Sequence, residues 1–194
     1  MALGPQDLRP STLLVAPPGL EPSDTFARTV ILVVDREPNG ITTGIALNRP
    51  LDERVTDSSA LALLFVPDPS AKAFWGGPMG DDPAVLAQLT RTEGLEWFHL
   101  AHQQQRPFPL PDVGVIAVAE HPSAFEDRIR RARLFVGLCV WGRNQLEKEL
   151  ANGAWRLARA TADDIFTSAP DRLWADLLPR SSVAASADSE PPTR

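Results

Sequence analysis

The 194-residue chain is 43% hydrophobic and 23% charged, the balance of a soluble globular domain large enough to bury a substantial core. No apolar run approaches the roughly 18 residues that span a bilayer, which argues against a membrane helix. A formal net charge of −6 opposes general attraction to nucleic acid or anionic lipid.

In chain order, residues 1–10 predict a loose arm without the cationic start and apolar run of a secretion signal. Thr12–Ala16 (TLLVA) is a short β-rich run stopped by Pro17-Pro18-Gly19. Thr29–Val34 (TVILVV) is the strongest strand candidate, and its continuous apolar character predicts burial on both faces. Asn39-Gly40 favours the positive φ of a hairpin turn, with Thr42–Leu47 as the return strand ended by Asn48-Arg49-Pro50. Ser58–Phe65 reads as a short helix, and Phe74-Trp75 as a strand entering the tight loop Gly76-Gly77-Pro78. Ala84–Leu89 fits either a short helix or a strand, and 97–111 has no clear period. Val113–Ala119 predicts a strand, and Ser123 to Glu126 a capping box that opens a helix to about Arg131.

Leu134–Trp141 predicts the next strand. Asn144 is then expected to cap a helix, with Glu147 completing the box and Asn152-Gly153 ending it. Ala154–Ala158 reads as a short strand, Thr161 to Asp164 as a helical turn, Asp171–Leu178 as a last helix, and 181–194 as a disordered tail. A hairpin mixed with helices in no regular alternation predicts a single-domain α+β fold, with the domain over 11–180.

Few residues carry chemistry. Cys139 is the single cysteine; it permits no disulfide, agrees with a reducing cytoplasm, and reads as a core residue sharing one strand face with Phe135, Gly137 and Trp141. His99 and His102 would pair on a helix, but no carboxylate or thiol completes a ligand set, so no metal or cofactor is expected. No nucleophile elbow or zinc-protease motif points to a catalytic residue. Gly76-Gly77-Pro78 lacks the lysine of a phosphate loop and is followed by Asp81-Asp82, which favours a turn allowing close backbone approach. Arg128, Arg130, Arg131 and Arg133 are the one concentrated basic stretch, assigned to a helix C-terminus. Gln145 and Glu149 share one face of their helix and could orient a ligand or a partner.

Taken together, LLVAPPGLEPSDTFARTVILVV, GIALNRP, WGGPM, FVGLCVWGRNQLEKELANGAW and the following DDIF…LW pair resemble the YqgE/AlgH family over about residues 11–178. The resemblance implies a bacterial cytoplasmic domain with a mixed, mostly antiparallel, barrel-like sheet and flanking helices. It favours a strand over Ala84–Leu89. It brings no established activity, only a label of transcriptional regulator. Val140 and Asn144 stand where the family pattern has glycine. The regions it marks are Asn48, Arg49 and Pro50; Gly76, Gly77 and Pro78; and Trp141, Gln145 and Glu149. All lie at predicted strand ends, so they are expected to converge on one groove, with Arg49 offered to an anion and Gln145 to a polar ligand group. The function expected is a non-catalytic domain binding a ligand or a protein partner, ahead of direct DNA binding and of an enzyme of unknown reaction.

Overall fold

The apolar runs near the N-terminus form the centre of a sheet. The computed structural model describes residues 3–54, 72–90, 110, 112–116 and 128–183. Strand β1 (Thr12–Val15) pairs antiparallel with β2 (Val30–Arg36), placing Leu13 opposite Leu32. β2 turns back into β3 (Thr42–Ala46) through Asn39-Gly40; Gly40 has φ 90° and the Asn39 side chain accepts from the Ile41 amide at 2.9 Å. A register shift between Val33 and Asp35 marks a bulge in β2. Both faces of β2 are covered: Val30 and Leu32 enter one apolar cluster, Ile31 and Val33 another.

β4 (Pro50–Arg54) pairs with β5 (Lys72–Trp75), and β6 (Met79–Leu89) with β7 (Val113–Ile116). The 13-residue β8 (Ile129–Trp141) joins these pairs to the rest. Its N-terminal part pairs with β6, its middle with β5, and its last residues with β3. Helix α1 (Gln145–Ala151) follows, then β9 (Arg156–Arg159), α2 (Ala162–Ile165), α3 (Pro170–Leu177) and β10 (Ser182–Val183). The main path runs β10-β9-β1-β2-β3-β8-β5-β4, with β6 and β7 branching from β8. The result is a mixed sheet curled into a half-barrel with a few helices, a single-domain α+β fold. Among the described strands only β5 against β8 is parallel.

One cluster lies against α2 and α3 through Ile165, Leu173 and Leu177, and the other against α1 through Leu146 and Leu150. Thr161 caps α2: its hydroxyl accepts from the Asp164 amide, and the Asp164 carboxylate accepts from the Thr161 amide.

Five local expectations are corrected. The opening segment is not loose: Leu3 and Leu8 are buried, a 3-10 turn forms at Pro5–Asp7, and the Leu3 amide donates to Ser182 Oγ at 3.0 Å. The helix expected to reach Arg131 does not, because Ile129 to Arg131 already belong to β8; its start at 123–127 lies outside the described residues, as do the Ser58–Phe65 helix and all three histidines. Asn144 does not cap α1 with its side chain. It adopts a left-handed backbone (φ 60°), a conformation asparagine tolerates and glycine takes freely, while Glu147 pairs with Arg36.

The fourth correction concerns β8. Phe135 enters the first cluster, whereas Cys139 and Trp141 enter the second, and Leu138 packs against the first. The alternation therefore reverses at Gly137, whose φ of 77° inserts a left-handed residue into the strand. Of the tail, Ser182 and Val183 pair with β9, and 184–194 lie outside the described residues.

Candidate functional site

The reversal in β8 coincides with a backbone crossing. Gly76 donates to the Val136 carbonyl at 2.7 Å and accepts from the Ala46 amide at 2.8 Å, tying β3 to β8 just past β5. A Cβ on Gly76 would lie 2.2 Å from the Gly137 carbonyl oxygen, and one on Gly77 2.1 Å from the Leu138 carbonyl carbon. These glycines serve contact between backbones. The Cys139 thiol donates to the Gly76 carbonyl at 3.4 Å, and burial pushes its pKa up to about 12. It is a packed thiol, protonated at neutral pH.

Asn48 and Arg49 brace the start of β2. Asn48 Oδ1 accepts from the buried Val30 amide at 2.9 Å, and its Nδ2 donates to the Arg28 carbonyl at 2.9 Å. Arg49 Nε and Nη2 donate to Thr29 Oγ1, and Nη2 also reaches the Thr25 and Ala27 carbonyls. A guanidinium committed in this way holds a loop; those donors are not offered to an incoming anion. Asn48, Arg49 and Pro50 line a cavity of about 440 Å³ with Thr25, Trp75 and Asp171.

Trp141 and α1 build a different cavity, of about 390 Å³. Gln145 Oε1 accepts from the Gly142 amide at 3.0 Å, closing the turn that Asn144 makes with its positive φ. Gln145 Nε2 then donates to Glu149 Oε1 at 3.0 Å. Glu149 Oε2 accepts two indole N–H groups, from Trp141 at 2.9 Å and Trp155 at 2.8 Å. The two indoles meet edge to face at 6.3 Å, and Trp155 meets Phe26 the same way at 5.7 Å. Around these rings stand Leu20, Met79 and Val140, exposed by 37%, 56% and 42%. They are three of the four exposed large hydrophobics among the described residues, so these side chains gather at one cavity.

The nine sequence-derived residues thus divide. Pro78, Trp141, Gln145 and Glu149 meet at the second cavity; Asn48, Arg49 and Pro50 line the first; Gly76 and Gly77 line neither. Phe26 of one cavity and Trp75 of the other are 6.1 Å apart, which makes the cavities neighbours divided by an aromatic pair rather than one groove. Sequence reasoning missed Leu20, Asp24, Phe26, Met79 and Trp155. All five lie within the quoted family motifs (Leu20, Asp24 and Phe26 in the first, Met79 in WGGPM, Trp155 at the end of the FVGLCVWG block), so the signal was present but was not assigned to the site.

The basic stretch is largely used within the fold. Arg131 donates to Gln88 Oε1 at 2.7 Å and pairs with Asp163 at 2.9 Å. Arg133 lies over the Phe74 ring and donates to the Ile165 and Thr167 carbonyls; burial, then the Arg131 charge, lower its pKa to about 10. Among the described residues no group of three or more His, Cys, Asp or Glu could hold a metal ion, and no helix is long and apolar enough to cross a membrane.

Comparison with known proteins agrees with this architecture. A UPF0301 protein of Thermobifida fusca is 36% identical over 171 residues, covering 87% of this chain and 84% of the relative. A UPF0301 protein of Streptomyces avermitilis is 30% identical over 169 residues, with the same coverages. Among solved structures, a Corynebacterium diphtheriae protein superposes with a TM-score of 0.73 at 24% identity, covering 89% of this chain and 87% of that one. The solution structure of the AlgH protein from Pseudomonas aeruginosa gives 0.61 at 21% identity, covering 88% and 87%. Both structural likenesses speak to the fold. The family model described as AlgH-like matches residues 13–186, and the chain belongs to the AlgH-like family.

Proposed function

We propose that this protein is a non-catalytic binding domain that takes up a small ligand in the cavity between Met79, Val140 and helix α1. The observation that carries the reading is the concentration of exposed apolar side chains (Leu20, Met79, Val140) at a cavity also lined by the hydrogen-bonded Glu149 carboxylate and Gln145 amide. A volume of about 390 Å³ lies within the range of small-molecule sites, about 300–1,000 Å³. Rigid indoles locked to Glu149 supply a preformed wall, which lowers the ordering cost of binding. Cys139, the thiol beside the cavity, is protonated at neutral pH, which removes nucleophilic sulfur chemistry from the reading. Direct DNA binding is the weaker reading, since Arg131 and Arg133 are engaged within the fold and the net charge is −6. The lone cysteine suits a cytoplasmic setting, where occupancy of the cavity would be the regulatory signal.

The test is a small-molecule library screened against ¹⁵N-labelled protein, read at the indole N–H resonances. Hits should move Trp141 and Trp155 together and leave Trp174, whose indole donates to the Ala16 carbonyl, in place. Val140→Asp should weaken those hits. A library without any compound that moves the Trp141–Trp155 pair selectively would reject the reading.

A further inference from the structure

Resting on that binding reading, we infer that the cavity is selective for an organic ammonium cation carried on an apolar body. The charged residues lining it are Asp24 and Glu149, and none of its described lining residues is basic. Of the nearby cations, Arg36 pairs with Glu147, Arg143 donates to the Asn39 carbonyl at 2.7 Å, and Lys148 is exposed on α1 without lining the cavity. Glu149 is held by three donors, two indoles and one amide, all neutral. Its geometry is fixed while its charge is not cancelled by them, and of about four acceptor sites on a carboxylate three are filled. That leaves one direction for an incoming N–H.

The aromatic wall points the same way. An indole that donates its N–H to a carboxylate is polarised, which enriches the negative face of the ring. Phe26, Trp141 and Trp155 all line the cavity, and aromatic rings favour a cation over a neutral group or an anion. At the mouth, Leu20, Met79 and Val140 supply apolar contact for the body of the ligand. An anion would meet Asp24 and Glu149 with no basic lining residue to offset them.

Three probes of one shape separate the possibilities: phenethylammonium, the neutral 2-phenylethanol and the anionic 3-phenylpropionate. Titrations at pH 7 are followed by calorimetry and by the Trp141 and Trp155 indole resonances. The ammonium should bind about tenfold more tightly than the alcohol, lose affinity as salt rises, and leave the carboxylate without measurable binding. Glu149→Gln removes the charge but turns an NH2 toward one of the three donors, and should reduce ammonium affinity by at least about tenfold. Asp24→Asn is the safer variant. Asp24 is exposed, and asparagine keeps the oxygen that accepts from the Phe26 amide at 2.8 Å. It should weaken the ammonium about threefold with the fold unchanged by circular dichroism. An alcohol that matches the ammonium while moving both indoles would overturn the charge selectivity and leave the binding reading standing. Charge selectivity is equally overturned if all three probes fail while other library compounds move the pair. Only failure of the whole library rejects both.

Discussion

Gly137→Ala tests how the fold delivers Trp141 to the cavity. A Cβ there would stand 2.4 Å from the Gly77 carbonyl oxygen and 3.0 Å from that of Gly80, on a backbone with φ 77°. The left-handed conformation costs a non-glycine residue about 1 kcal/mol, and forcing a methyl against close-packed backbone adds about 1–3. The sum is about 2–4 kcal/mol, or a fall in melting temperature of about 5–15 °C for a domain of this size. Gly153→Ala separates the two causes, because Gly153 has φ 72° and nothing within 4 Å of its would-be Cβ. It should cost about 1 kcal/mol. Urea unfolding followed by tryptophan fluorescence and circular dichroism measures both variants. Equal midpoint shifts for the two would refute the claim that the Gly76–Gly77 crossing, rather than dihedral preference alone, fixes the reversal in β8.

Asn48→Ala should destabilise by about 2 kcal/mol, since it orphans the buried Val30 amide as well as the Arg28 carbonyl; thermal melting checks this. Asp164 offers a pH test. Burial alone would raise its pKa, but hydrogen bonds from Arg180 and Thr161 and the Arg180 charge outweigh it, holding the carboxyl below its ordinary 3.8. The ionised form therefore favours the fold: the stability is present above pH 3.8 and lost as pH falls through the depressed folded value. Asp164→Asn should be about 2 kcal/mol less stable at pH 7, and the gap should close in strong acid. With its pKa near 12, Cys139 should react with a disulfide reagent at pH 8 about 10³-fold more slowly in the native protein than after unfolding in urea.

Local chemistry made part of this fold legible. TVILVV announced a strand covered on both sides, Asn39-Gly40 a hairpin, and Thr161 to Asp164 a helical turn. Arg130, Arg131 and Arg133 misled because a charged run reads as a solvated helix end. In β8 the Arg131 and Arg133 guanidiniums instead find Gln88, Asp163 and carbonyls of the α2 region, partners 32 to 43 residues away in sequence. The phase reversal at Gly137 was equally hidden, since a glycine in a strand does not announce whether it carries positive φ. For the site, Gln145 and Glu149 were visible as helix neighbours. Phe26, Met79 and Trp155 come from separate segments that only the curled sheet brings to Trp141. The motif Asn48-Arg49-Pro50 was legible as important, but its role is to fasten the 25–30 segment from within.

The most direct test of ligand uptake beside α1 is a co-crystal structure with the tightest ligand from the screen. Density is expected between Met79, Val140 and Glu149, with the Trp141 and Trp155 indoles still donating to Glu149. Density instead in the neighbouring cavity beside Arg49 and Trp75, with the Trp141 cavity empty, would contradict it.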